Sequence, residues 1–245
     1  MTARTNPVEI FRKLITEPGY YVFMAAILAF FYFAFDKNFA NVFYIFLGVS
    51  AFAYIFRSKL GQKVSINSVS GNSGKAFIQG LVATVLFLVV SFLIIKVLQG
   101  GGVVTLQSVL DRLSQTAIGA TGTPILSGNP FVTLLVGSII IPLIETQTIF
   151  VAIPQFLANA FNITVNLGSL ETWLLMAVVS GIFVFYHVEA KNISDNVQYA
   201  LTFVFGMFQS WLVFKFREAE SAIYMHIQNN FLGLIRTLFL KPLGM

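Results

Sequence analysis

Glu145 stands inside Ile139-Ile140-Ile141-Pro142-Leu143-Ile144-Glu145-Thr146-Gln147-Thr148-Ile149-Phe150, among the most apolar runs of the chain, and is the only acid between Asp111 and Glu171. With no cation near it in sequence, it must take its partners from elsewhere in the fold. The chain has 2 histidines, His187 closing Phe183-Val184-Phe185-Tyr186-His187 and His226 opening His226-Ile227-Gln228-Asn229-Asn230. On a helix His226 and Asn230 are one turn apart and share a face, and Phe183 stands one turn before His187, where it braces the ring. A single histidine in a membrane helix is often no more than a hydrogen-bonding group for its neighbour. Four polar side chains on three apolar segments make a stronger case, because intramembrane ionisable groups are functional candidates by default.

Their types suit amide hydrolysis, which needs an activated water and donors for the oxyanion that develops on the carbonyl oxygen. A carboxylate in a water-poor cavity is a better base toward water than an exposed one. Glu145 fits that role, with His187 orienting the water or sharing its proton. The rival chemistry is a metal, since Glu145, His187 and His226 would suffice to hold zinc with water in the fourth position. Asn230 favours the metal-free version, being a poor zinc ligand and a good amide donor.

The surroundings of these residues follow from composition. Of 245 residues, 57% are hydrophobic and only 10% charged. That is more apolar surface than a soluble domain can cover. The expected architecture is all-α, a polytopic transmembrane helical bundle. Crossing roughly 30 Å of hydrocarbon takes about 20 helical residues. Suitable runs are Gly19 to Phe35, Ala40 to Phe56, Ala76 to Leu98, Phe131 to Phe156, Leu170 to Glu189, Tyr199 to Phe216 and Ala222 to Leu240, giving seven to eight spanning helices. A barrel is disfavoured because the runs are continuously apolar and do not alternate. The absence of cysteine excludes disulfides and thiolate chemistry. The net charge of +5 is not a nucleic-acid signal, since the basic residues sit in loops.

Three stretches frame the runs. Residues 1–18 read as a cytoplasmic or interfacial amino end, with Phe11, Leu14 and Ile15 at helical spacing. The 57–75 loop is rich in Ser, Asn and Gly, and from Gly100-Gly101-Gly102 to Pro130 runs a connection holding an amphipathic interfacial or re-entrant piece. The amino end and the 57–75 loop carry 7 of the 15 basic residues, which places both in the cytoplasm by charge bias. A cysteine introduced at Ser65 should therefore react only with reagent that reaches the cytoplasm, and labelling from outside intact cells would refute this topology. Straight spans would leave His187, late in one helix, and His226, early in another running the same way, at different depths. Their convergence calls for tilted, extended or broken helices, with Pro142, Pro154 and Gly181 as break points.

The motifs resemble those of the CPBP intramembrane proteases, which include the CAAX prenyl endopeptidases and bacteriocin-processing or self-immunity proteins. The family pattern is EExxxR, FxxxH and HxxxN in that order, each on a membrane helix. Phe183 to His187 matches the second motif and His226 to Asn230 the third, with Gly206 where the family often has a glycine. Glu145 aligns with the leading glutamate, but Thr146 stands at the second glutamate and Phe150 at the arginine. The resemblance implies a catalytic core over residues 131–245, preceded by amino-terminal membrane helices over 19–130. It also implies an intramembrane endopeptidase with Glu145 as base, His226 and Asn230 at the oxyanion, Thr146 and Phe183 in support, and no cofactor, with zinc as the alternative. The implied partners are membrane lipid and a membrane-anchored peptide, prenylated CAAX substrates being one branch. The degenerate first motif keeps open a non-catalytic relative acting as a binding or immunity protein, and the buried ionisable groups keep open a proton-coupled carrier.

Overall fold

The computed structural model describes residues 66, 71–100, 104–118, 130–191 and 195–240. The amino end, the runs Gly19 to Phe35 and Ala40 to Phe56, and most of the 57–75 loop lie outside them. Among the described residues the regular structure is helical, with no strand. Four helices among the described residues are long and apolar enough to cross a membrane: Ser73–Leu98, Thr133–Ala158, Leu170–Val188 and Asn196–Phe216.

Helix α1 spans Ser73–Leu98 and begins where the Asn72 side chain accepts a hydrogen bond from the Lys75 amide at 3.0 Å. Its buried stripe of Ala76, Gly80, Ala83, Thr84, Phe87, Ser91 and Ile95 recurs at helical spacing and is mostly small. Ile78, Val82, Val85 and Val89 point outward, as a lipid-facing surface requires. Small residues let backbones approach closely in a bundle. Gly80 does so against the later helix that carries His226: a Cβ there would lie 2.8 Å from Tyr224 Cβ and 2.9 Å from the Met225 nitrogen.

Helix α2, Leu106–Ile118, is the amphipathic piece expected within the long connection. Thr105 and Ser108 cap it reciprocally, each side-chain oxygen accepting from the other's backbone N–H. It buries Val109 and Leu113 in the bundle. Ion pairs from Arg112 to Asp195 and from Asp111 to Arg236, the latter at 3.9 Å, hold it to two other elements.

The Glu145-bearing stretch is a continuous but non-uniform helix. It runs as α3 (Pro130–Leu135), a π-helical turn Val136–Ile140, α4 (Ile141–Glu145), a longer π-helical segment Thr146–Ala152, and α5 (Ile153–Ala160). Each π segment ends just before a proline, at Pro142 and Pro154. Proline lacks the N–H and its ring collides with the carbonyl four residues back, so a wider turn relieves the conflict without breaking the helix. The two prolines thus mark widenings where breaks were expected. Gly181 marks neither, since it lies inside uninterrupted α6, Leu170–Lys191.

Helix α7, Asn196–Phe216, is capped by Asp195, whose carboxylate accepts from the Gln198 amide at 2.8 Å. Gly206 brings α7 against Ser180 of α6, where a Cβ would meet backbone and side chain at 3.0 Å. Arg217 ends α7 in the left-handed region, φ 58°, and donates to the Val165 carbonyl. Helix α8, Glu220–Ile235, continues into a π-helical turn Arg236–Leu240. The run Ala222 to Leu240 is therefore helical throughout, though α8 itself, at 16 residues, is shorter than the four spanning helices. One hydrophobic core joins α1 and α2 to α6, α7 and α8 through Phe87, Val109, Phe183, Phe205 and Met225.

Candidate active site

Glu145 is the last residue of α4 and is fully buried. His226 Nε2 of α8 lies 3.1 Å from Glu145 Oε2. The other nitrogen of the ring, Nδ1, is 3.1 Å from Thr146 Oγ1. Two consecutive residues, at the junction of α4 with its π-helical continuation, thus hold both nitrogens of one imidazole. With Glu145 ionised, Nε2–H faces the carboxylate and Nδ1 accepts from the threonine hydroxyl. Thr146, in the place of the family's second glutamate, supplies this neutral hydrogen bond.

His187 is 2% exposed, and its Nδ1 lies 2.9 Å from the Phe183 carbonyl oxygen. A carbonyl only accepts, so Nδ1 carries the hydrogen and the neutral ring keeps Nε2 as its acceptor. The Phe183 and His187 ring centroids are 4.1 Å apart, so the expected brace is present. Phe150 packs on the far side of Phe183 at 5.0 Å, filling with an aromatic ring the place where the family has arginine. Phe205 of α7 stacks on Phe183 at 5.9 Å and meets His226 edge-on at 4.9 Å, so α6 and α8 present their histidines at one level.

Asn230 donates through Nδ2 to the Gly137 carbonyl at 2.9 Å, tying α8 to the first π-helical turn. One of its two amide hydrogens is used there. His187, His226, Asn229 and Asn230 line a narrow cavity of about 20 Å³ with Phe183 and Leu113 among its apolar walls. That volume is room for about one water molecule. No three His, Cys, Asp or Glu side chains among the described residues are disposed to hold a metal ion.

Sequence reasoning passed over Tyr186. The residue is 4% exposed, and its hydroxyl interacts with the Glu145 carboxylate while its ring stands edge-on to His187 at 5.1 Å. A phenol within an apolar run beside a candidate histidine was the available signal, because a buried hydroxyl needs a partner.

The fold and site define a helical membrane protein with two histidines on a water-sized cavity and a buried carboxylate that reaches one of them, His226, from outside its lining. Residues 127–232 match the family model described as type II CAAX prenyl endopeptidase Rce1-like, so this region is similar to that family. The matched region holds Glu145, His187, His226 and Asn230. Comparisons with curated proteins and with solved structures gave no match.

Proposed function

We propose that the protein is an intramembrane endopeptidase of the CAAX-protease type, hydrolysing a peptide bond of a membrane-anchored substrate by glutamate-activated water. The observation that carries this reading is the Glu145–His226 contact of 3.1 Å beside a water-sized cavity that His187 and Asn230 also line. Glu145 takes one proton from the water, the hydroxide oxygen bonds to the scissile carbonyl carbon, and the C–N bond breaks as the same proton passes to the leaving amine. His187 Nε2 helps to place the water.

The geometry modifies the roles suggested by the family pattern. His226 Nε2 faces the carboxylate, so His226 holds Glu145 in place, and the oxyanion falls to the second Nδ2 hydrogen of Asn230. Glu145 and His226 are engaged with each other, which favours a reaction run by the carboxylate alone over a zinc centre built on Glu145, His187 and His226.

The test is cleavage of a membrane-anchored peptide by purified protein in lipid nanodiscs. Asn230→Ala should cost about 10²–10³-fold in rate by removing one oxyanion donor. Chelator should leave the wild-type rate unchanged. Stoichiometric zinc that tracks activity would overturn the metal-free reading, and an Asn230→Ala enzyme as fast as wild type would overturn the oxyanion assignment.

A further inference from the structure

Asn229, next to the motif asparagine, belongs to no matched motif, yet it is 3% exposed and lines the same cavity. Its Nδ2 donates to the Met225 carbonyl at 2.8 Å and to Thr84 Oγ1 of α1 at 3.3 Å. Met225 O only accepts, so the amide cannot be turned the other way. Thr84 is itself anchored, its single hydroxyl hydrogen placed between two acceptors, Gly80 O at 3.0 Å and Gln228 Oε1 at 2.9 Å. The amide is therefore braced from α1 at the point where Gly80 lets the two helices close. Its acceptor, Oδ1, is buried and has no hydrogen-bond partner among the described residues. Buried polar atoms are rarely left in that condition.

A water that is to act as nucleophile has two hydrogens to place. One goes to the general base, and the other needs an acceptor if a lone pair is to face the carbonyl carbon. We propose that Asn229 Oδ1 is that acceptor, anchoring the cavity water by the O–H bond that survives the attack. The inference rests on the endopeptidase reading. The O–H bond to Glu145 breaks, the O–H bond to Asn229 remains intact, and its hydrogen leaves with the product acid. Asn229 adds to the site an acceptor that the family motifs do not specify, supplied through α1.

The experiment combines kinetics with a structure that resolves ordered water. Asn229→Ala should lower kcat by about 10²-fold, as expected for loss of a group that positions the reacting water, with KM close to wild type and a thermal midpoint lowered by the loss of its two buried hydrogen bonds. Asn229→Asp should recover as pH falls, because the protonated carboxyl can donate to Met225 O and still accept from water, whereas the ionised form is repelled by that carbonyl. Should Asn229→Ala fail to fold, Thr84→Val removes the brace while keeping the shape and should lower kcat in the same direction. The wild-type structure should show one water within hydrogen-bond distance of Oδ1, lost in Asn229→Ala. A dry cavity, or a folded Asn229→Ala enzyme with wild-type kcat, would overturn the role of Asn229 alone when Glu145→Gln is inactive. Full turnover in Glu145→Gln would instead remove Glu145 as the base and this inference with it, and a wild-type protein that cleaves no peptide would remove the endopeptidase reading.

Discussion

Glu145→Gln is expected to reduce peptide turnover by at least the roughly 10²–10⁴-fold that a positioned general base contributes, while substrate binding persists. The substitution keeps the size of the side chain, and the new amide oxygen can still accept from His226 Nε2, so the packing of α4 against α8 survives. Only the basicity is lost. The buried position of Glu145 and its 3.1 Å contact with His226 make this a clean comparison. Single-turnover cleavage with equal amounts of folded protein is the measurement. Undiminished turnover would overturn Glu145 as the base, whereas absence of cleavage by the wild-type protein would put the carrier or the binding protein ahead of the peptidase.

The largest structural effect should come from Gly80→Val. A Cβ at this position would sit 2.8 Å from Tyr224 Cβ and 2.9 Å from both the Met225 nitrogen and the Ser221 oxygen, and two of these three atoms are backbone. Helix α8 cannot yield by turning a side chain, so α1 must move away. Overpacking of this kind costs about 1–3 kcal/mol. The displacement also loosens the hydrogen bonds from Asn229 to Thr84 and from Ser221 to Gln79, at roughly 0.5–1.5 kcal/mol each. Thermal unfolding in detergent should show a lower midpoint, and activity should be lost because α8 carries His226 and both asparagines. A Gly80→Val protein as stable as wild type would contradict the close crossing.

Much of the site could be read from residue types and spacing. Glu145 inside an apolar run, Phe183 one turn from His187, and His226 one turn from Asn230 all follow from helical periodicity; His187, His226 and Asn230 line one cavity, and Glu145 meets it only through His226. Periodicity could not show the depth at which α6 and α8 meet. That level is set by packing across Phe205, a residue with no motif of its own. Nor could it show the π-helical turns, which change the residues per turn and so alter which side chains share a face. Pro142 and Pro154 pointed to the right places, but a proline alone does not distinguish a break from a widened turn. The engagement of Asn230 with Gly137, the approach of Tyr186 to Glu145 and the brace from Thr84 to Asn229 join residues far apart in sequence. Such pairings depend on which helices become neighbours. Phe150 departs from the family's arginine, and its meaning became plain only with Phe183 beside it.

The helix that carries Glu145 also constrains how the protein is made. All seven residues of Thr146–Ala152 are buried, and 72% of an apolar 18-residue stretch within Thr133–Ala158 is buried, against 28% of the corresponding stretch of α1. Helix α1 presents an apolar surface to lipid and can settle in the bilayer by itself. The Glu145 span brings a carboxylate, Gln147, Thr148 and Gln155 into the membrane, and among the described residues the carboxylate meets His226 of α8 and Tyr186 of α6, which are synthesised later. During biogenesis the segment must remain at the insertion machinery or the membrane interface until those helices emerge. The features that shield the candidate base in the finished bundle therefore make its span a late one to assemble.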